Sequence, residues 1–188
     1  MPVRVTEVLG YFKEDWYVRW VHRVGLTEAN KIGKEAMKLG TILDEIVKGD
    51  GVLPKKAKPD TVFAHEAFMK WRGIYQPAYL RTCPRLNAMI NGVEVTGEPD
   101  FEIPDTTVDL KGAVKISKHY KVQVNVYEYL RRLNGLTPNA NVAILRCDKK
   151  TGSYEYWCEP YSKTFVDVWV GLMTAYVVYK ENEDGDDI

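Results

Sequence analysis

Asp100, Asp109 and Lys111 are the residues of this chain whose types and spacing could do chemistry together, and all three lie in the stretch GEPDFEIPDTTVDLKGA, residues 97–113. Within TTVDLKG, strand alternation turns Val108 and Leu110 to one side and Thr107, Asp109 and Lys111 to the other. Asp100 belongs to the preceding segment, which should run beside that strand and carry its carboxylate to the same place. Two carboxylates brought together in a partly enclosed place repel each other unless a cation lies between them. Mg²⁺ or Mn²⁺ suits such a pair, because it takes oxygen ligands and keeps waters for a substrate phosphate. The Leu110 carbonyl is a natural third oxygen. Lys111, a compact charge on a long stem, could hold an attacking water or the charge that builds on a phosphate. The chemistry such a group serves is phosphodiester hydrolysis, with one metal ion or two. An Asp-x-Lys alternation is common on strands, however, and an exposed pair of this kind contributes little. Its weight depends on its company.

The elements that must position these residues can be read from period and punctuation. The first third reads as helices. One is expected over residues 6–25, from a cap at Thr6 to Gly25, with Val8, Phe12, Trp16 and Trp20 on one face. A second is expected from a cap at Thr27 through ANKIGKEAMKLGTILDEIVKG, and a third over TVFAHEAFMKWRGIYQPAYL, broken near Pro77. The connection DGVLPKKAKP between them is rich in proline, glycine and lysine.

From about residue 82 the period shortens to that of strands. Asn91-Gly92 is a hairpin signal that puts Ala88, Ile90, Val93 and Val95 on one apolar face, and the Asp109 strand completes a three-strand meander. SKHYKVQVNVYEYLRRLNG reads two ways. Val122, Val124 and Val126 alternate as in a strand, yet the segment closes on basic residues and Gly135 as a helix does. NVAILRC and SYEYWCEP read as strands around a turn at DKKTGS, which sets Cys147 opposite Tyr154. A dense apolar helix from about Ser162 and an acidic, solvated tail ENEDGDDI follow. The fold class is α/β, with a mixed central sheet flanked by helices.

If the segment after residue 117 is helical, Gln123 and Tyr127 stand on one face at i, i+4. Gly97-Glu98-Pro99-Asp100, then Asp109-Leu110-Lys111, then Gln123-Val124-Asn125-Val126-Tyr127 read as Gly-x-x-Asp, Asp-x-Lys and Gln-x-x-x-Tyr. Each piece is weak; the ordered set resembles the PD-(D/E)XK nuclease superfamily, in particular its RecB-type exonuclease branch. The resemblance covers most of residues 6–135, while the last 50 or so match by element order alone. It implies a restriction-endonuclease-like core and makes the Gln123–Tyr127 segment a helix beside the active site. There this Gln and Tyr would orient Lys111 or contact DNA phosphate. Upstream, Gly40, Thr41, Asp44 and Glu45 of GTILDE stand where the family commonly has Gly-Thr-x-x-His-Glu. Asp44 falls at the place of the family's metal-binding histidine. It is then a more acidic ligand, or the helix aligns differently and Asp44 or Glu45 is surface.

The resemblance further implies a Mg²⁺- or Mn²⁺-dependent deoxyribonuclease, an exonuclease of recombination, repair or phage-type DNA processing, with DNA and a recombination protein as partners. Lys115, Lys118, Lys121 and Arg131 would line the DNA track, joined by Arg132 and by Lys55, Lys56 and Lys58 unless these are ordinary solvated surface. Two other readings fit the same residues: a DNA-binding subunit that keeps the fold without catalysis, and a structure- or sequence-specific endonuclease.

The remaining features bound rather than assign. At 188 residues the expectation is one nuclease domain over 1–188, with helices over about 1–80 and the catalytic sheet and helix over about 81–160. A hydrophobic fraction of 45% excludes a disordered chain. Lysine plus arginine equals aspartate plus glutamate at 26 each, so bulk charge does not announce nucleic acid and any basic surface must be local. Three scattered cysteines and no leader-like start fit a reducing cytoplasm, the host's if viral. They do not supply the four thiolates of an iron–sulfur cluster, and none is expected. No segment reads as a membrane span. His119, near the start of the Gln123 helix, could approach the site but is expected at the surface, and His22 at a packing boundary.

Overall fold

The chain enters as a two-residue strand, β1 (Val3–Arg4), that runs directly into α1 (Val5–Tyr11). The structure, a computed structural model, describes residues 2–12, 15–49, 52–53 and 55–183. Helices α2 (Asp15–Val24), α3 (Leu26–Lys48) and α4 (Pro59–Tyr75) complete the helical third. The single helix expected over 6–25 is therefore two. Phe12 leaves the helical region at ψ 86 and packs against the apolar cluster around Val8 and Trp169. Arg4 rather than Thr6 precedes the first helix, and Gly25 rather than Thr27 caps α3, at a φ of 86 that suits glycine. Pro59 opens α4 and Gln76, at φ 42, closes it just before Pro77, where the break was expected.

Seven further strands follow: β2 (Arg81–Thr82), β3 (Leu86–Ile90), β4 (Val93–Gly97), β5 (Phe101–Ile103), β6 (Thr106–Lys111), β7 (Asn141–Cys147) and β8 (Tyr154–Pro160). Asn91 and Gly92 both take positive φ and make the β3–β4 turn, which sets Ala88 opposite Val95 and Ile90 opposite Val93. The expected three-strand meander is instead two hairpins in two sheets, ordered β1-β4-β3 and β2-β5-β6-β7-β8. The link Gly97-Glu98-Pro99-Asp100 carries the chain from one sheet to the other. Proline lacks the N–H that a continuing ladder would use. Strand β5 then pairs antiparallel with β6, Phe101 opposite Val108.

Helix α5 (Lys118–Leu133) is the crossover between β6 and its parallel neighbour β7. The valine alternation over 122–126 belongs to this helix because it is buried on two sides. Val122 and Val126 join the cluster with Val95, Trp169 and Met173, while Val124 meets Val142 and Ile144. The β7–β8 register puts Cys147 opposite Tyr154, as expected. Helix α6 (Lys163–Glu183) lies on α1 and α5, and Trp169 Nε1 donates to the Val5 carbonyl at 3.3 Å. The expected acidic tail beyond Glu183 lies outside the described residues. No described helix is long and apolar enough to cross a membrane.

Central strand β6 separates two environments. Val108 and Leu110 face the apolar cluster made with Leu39 and Leu43 of α3 and Phe68 and Trp71 of α4. Thr107 and Asp109 face α5, where Thr107 Oγ1 donates to Glu128 Oε2 at 2.7 Å. How closely α5 can approach is limited at Gly97: a Cβ there would lie 2.8 Å from Tyr127 Cε1 and 2.9 Å from Leu130 Cδ1. Gly97→Ala should therefore cost about 1–3 kcal/mol by overpacking, read from the denaturant midpoint. Gly33→Ala on α3, where an added Cβ meets nothing within 4 Å, should be neutral or mildly stabilising. Equal effects of the two substitutions would refute this account of Gly97.

Candidate active site

The sheet-to-sheet link ends at Asp100, and a backbone hydrogen bond fixes where its carboxylate goes: Leu110 N donates to Asp100 Oδ2 at 2.5 Å. Asp100 is thus tied to the strand that carries Asp109 and Lys111. Asp109 is 1% exposed. Its Oδ1 accepts from Gln123 Nε2 at 3.3 Å, and the same amide donates to the Tyr127 hydroxyl at 2.8 Å. Lys111 Nζ lies 2.7 Å from Asp109 Oδ2. That oxygen has an ion-pair partner but no aligned hydrogen-bond donor. The structure therefore brings Asp100, Asp109, Leu110, Lys111, Gln123 and Tyr127 together around one point, with α5 supplying the last two.

Asp44 approaches from α3. It is half-buried, its charge reaches Asp100, and neighbouring Glu45 is exposed. Of the two acids in GTILDE it is Asp44 that turns toward the carboxylates. Helix α3 is seated there because an added Cβ at Gly112, just past β6, would lie 3.3 Å from Leu39 Cδ2.

Electrostatics follow from this crowding. Burial, and then the Asp109 charge, push the Asp100 carboxyl up to about 7, although Lys111 and the Leu110 N–H pull the other way. Burial also raises Asp109, against the opposing pull of Lys111, and the two carboxyls are close enough to share a hydrogen bond. Burial alone would lower Lys111, but Asp109 and Asp100 together outweigh it and the ammonium is held above its ordinary range. Tyr127 is raised by burial and then by Asp109, so its hydroxyl stays protonated. Near neutral pH the carboxyl pair thus retains a proton that a cation would displace.

Among the described residues no three His, Cys, Asp or Glu side chains are gathered as a finished metal cluster. What is gathered is two carboxyls, that of the buried Asp109 paired with the Lys111 ammonium and that of Asp100 held by the Leu110 N–H. This donor set fits a hard divalent cation such as Mg²⁺ or Mn²⁺.

Lys111 opens on a cleft of about 520 Å³ between α1, α3 and the start of α5, where Thr6, Met37, Gly40, His119 and Gln123 are among the walls. His119, expected at the surface but near enough to approach the site, is half-buried in the wall of this cleft. Tyr120 lies beside it, its ring centroid 5.1 Å from Lys111 Nζ. The signal for both was available, since His119 and Tyr120 precede Gln123 and Tyr127 by helical spacings of four, three and seven.

The expected DNA-track residues divide. Lys115 and Lys118 are exposed, and Lys121 lies with its Nζ 4.4 Å from the Trp157 ring centroid. Arg131 is a correction: it is 5% exposed. Its Nη2 lies 2.6 Å from Glu102 Oε2 and its Nε 3.1 Å from Glu128 Oε2, and it also donates to the Thr137 carbonyl. Two buried carboxylates hold this guanidinium, and it lines a separate cavity of about 420 Å³ with Glu102 and Thr137 rather than the Lys111 cleft. Arg132 pairs with Glu128 at 2.8 Å and lies 3.9 Å over the Tyr161 ring.

No protein-family model matches the chain, and no curated protein sequence does. Solved structures share its fold. A putative exonuclease from Eubacterium rectale superposes with a TM-score of 0.59 at 14% identity, over 81% of this chain and 68% of that one. An alkaline exonuclease from Laribacter hongkongensis gives 0.53 at 12% identity, over 97% and 89%. The same enzyme in complex with dAMP gives 0.52 at 11% identity, over 97% and 89%. At these identities the likeness is one of fold: mixed sheets flanked by helices, in the arrangement these exonucleases have.

Proposed function

We propose that the chain is a metal-dependent DNA exonuclease of the PD-(D/E)XK type, RecB-like, formed as one domain over residues 1–188 and acting in DNA recombination, repair or processing. The observation that carries this reading is the convergence of Asp100, Asp109 and Lys111, with Asp100 held to the Leu110 N–H and Gln123 held to Asp109. Asp100, Asp109 and the Leu110 carbonyl would hold Mg²⁺ or Mn²⁺, with Asp44 a further ligand. When bound, the ion supplies Lewis acidity at the scissile phosphate and lowers the pKa of its water.

The chain's own residues do the rest. Lys111, kept charged by its carboxylate neighbours, presents a fixed positive charge to phosphate oxygens in the cleft. Gln123 fixes the Asp109 carboxylate by one oxygen and leaves the other for the ion. Tyr127, protonated and bonded to Gln123, fixes that amide in turn. Lys115 and Lys118 at the exposed approach to α5 offer phosphate contacts that carry no sequence information.

Two measurements test this. Asp100 sits at about 7 against an ordinary 3.8, so the folded protein binds more protons than the unfolded chain between those values. Without metal, stability should fall as pH rises through that window. Added Mg²⁺ or Mn²⁺ displaces the proton, so its thermal stabilisation should be larger at pH 8 than at pH 5 and lost in Asp109→Asn. A metal shift independent of both pH and Asp109 would place the ion elsewhere.

The second measurement offers linear duplex and covalently closed circular DNA with Mg²⁺. Loss of the linear form alone is expected, reduced about 10²–10³-fold by Lys111→Ala, as for other removed transition-state charges. Cleavage of the circle would make the enzyme an endonuclease. Survival of every duplex and single-stranded substrate, with DNA still bound, would leave a binding subunit.

A further inference from the structure

Lys111 has two neighbours that metal binding would treat differently. Its Nζ lies 2.7 Å from Asp109 Oδ2 and 5.1 Å from the centroid of the Tyr120 ring. The carboxylate oxygen that pairs with the ammonium is also the buried one without a hydrogen-bond donor, the oxygen a cation would take. Once that oxygen turns to a divalent ion, the ammonium loses much of its attraction and faces a second positive charge. A lysine side chain on four methylenes would then swing out to solvent unless something other than the carboxylate held it.

Tyr120 is placed to hold it. Its ring packs against the small apolar cluster of Val124, Val142 and Ile144, which fixes the ring from behind. Its N–H donates to Ser117 Oγ at 3.3 Å, the cap that sets the first turn of α5. The ring lies in the same cleft wall as Lys111 and Gln123. An aromatic face attracts an ammonium without neutralising it, so the charge stays available to a phosphate.

We propose that Tyr120 is a positioning residue for Lys111: its ring retains the ammonium in the cleft when Asp109 turns to the metal, which favours turnover at some cost in metal affinity. This rests on the nuclease reading. A ring that merely fills space would support the fold of the site whether or not a lysine lay over it, and that difference can be measured.

The probe is Mn²⁺ alone, titrated against the thermal unfolding of wild type, Tyr120→Phe and Tyr120→Leu, each with and without Lys111→Met. Tyr120→Phe keeps the π face and should leave the Mn²⁺ midpoint within about two-fold, whereas Tyr120→Leu, which frees the ammonium to leave the cation, should lower it about five-fold. In the Lys111→Met background the leucine substitution should no longer move the midpoint. On linear duplex, Tyr120→Leu should lower kcat with KM unchanged, and Tyr120→Phe should restore it. Tyr120→Met, of similar volume without a π face, gives the same comparison if the leucine variant does not fold. A Mn²⁺ midpoint shifted equally with and without Lys111, or raised by the leucine substitution, would overturn the proposal, as would unchanged affinity and kcat in Tyr120→Leu. A wild type that shows no Mn²⁺ shift removes the metal-dependent reading, and this role with it. A metal-responsive wild type with an unaffected leucine variant removes only the role of Tyr120.

Discussion

The polar contact between β6 and α5 is the constraint on which the rest of the structure depends. A central strand with both faces covered would ordinarily be apolar throughout, yet β6 turns Thr107 and Asp109 into the helix that crosses over it. Burying carboxylates this way is costly unless donors are built around them. At one end of the contact they are. Glu128, fully buried, accepts from Thr107 Oγ1 and Arg131 on one oxygen and from Arg132 and the Asn139 N–H on the other. Arg131 in turn answers Glu102 on β5. That network locks the register of α5 against β5, β6 and the loop entering β7.

At the other end of the same contact the balance is left incomplete. Asp109 receives one amide donor from Gln123 and an unaligned ammonium from Lys111, with Asp100 pressed against it. Because the Glu128 network already holds α5 in place, Gln123 and Tyr127 cannot shift away to relieve this crowding. Gly97 sets the same limit from the other side, since only a residue without Cβ lets the Tyr127 ring lie so near β4. The unfavourable electrostatics are thus confined to one point, which opens on the cleft.

What the sequence revealed of this follows from the range of each interaction. Turn chemistry and strand alternation are local, so Asn91-Gly92 and TTVDLKG announced the hairpin register and the shared face of Asp109 and Lys111. The period of α5 misled for a physical reason: a helix with apolar surroundings on two sides shows valines where an amphipathic helix would show one stripe. The close on basic residues and Gly135, and the Gln-x-x-x-Tyr spacing, pointed the right way. Arg131 looked like part of a basic face because its neighbours in sequence are basic. Its burial depends on Glu102, whose approach no local pattern encodes. His119 and Tyr120 were legible at helical spacing from Gln123 and Tyr127, but only once that segment was known to be a helix. The break after Tyr11 was not legible, because Phe12 leaves the helical region and packs against a cluster assembled from residues distant in sequence.

Charge balance bears on which chemistry the cleft can serve. Asp44, Asp100 and Asp109 set three carboxyl groups near the Lys111 ammonium, and burial first, then the Asp109 and Asp44 charges, hold the Asp100 carboxyl above its ordinary value. A phosphate approaching this group would meet net negative charge. A protein that only bound DNA would gain nothing from placing carboxylates there. A divalent cation reverses the sign of the site, accepting the carboxylates as ligands and the phosphate as a further oxygen donor. Asp44 strengthens the same argument, since its charge adds to the repulsion at Asp100 that a cation would neutralise. The acidity around Asp100 and Asp109 is thus one that a bound divalent cation would relieve and that an approaching phosphate alone would worsen.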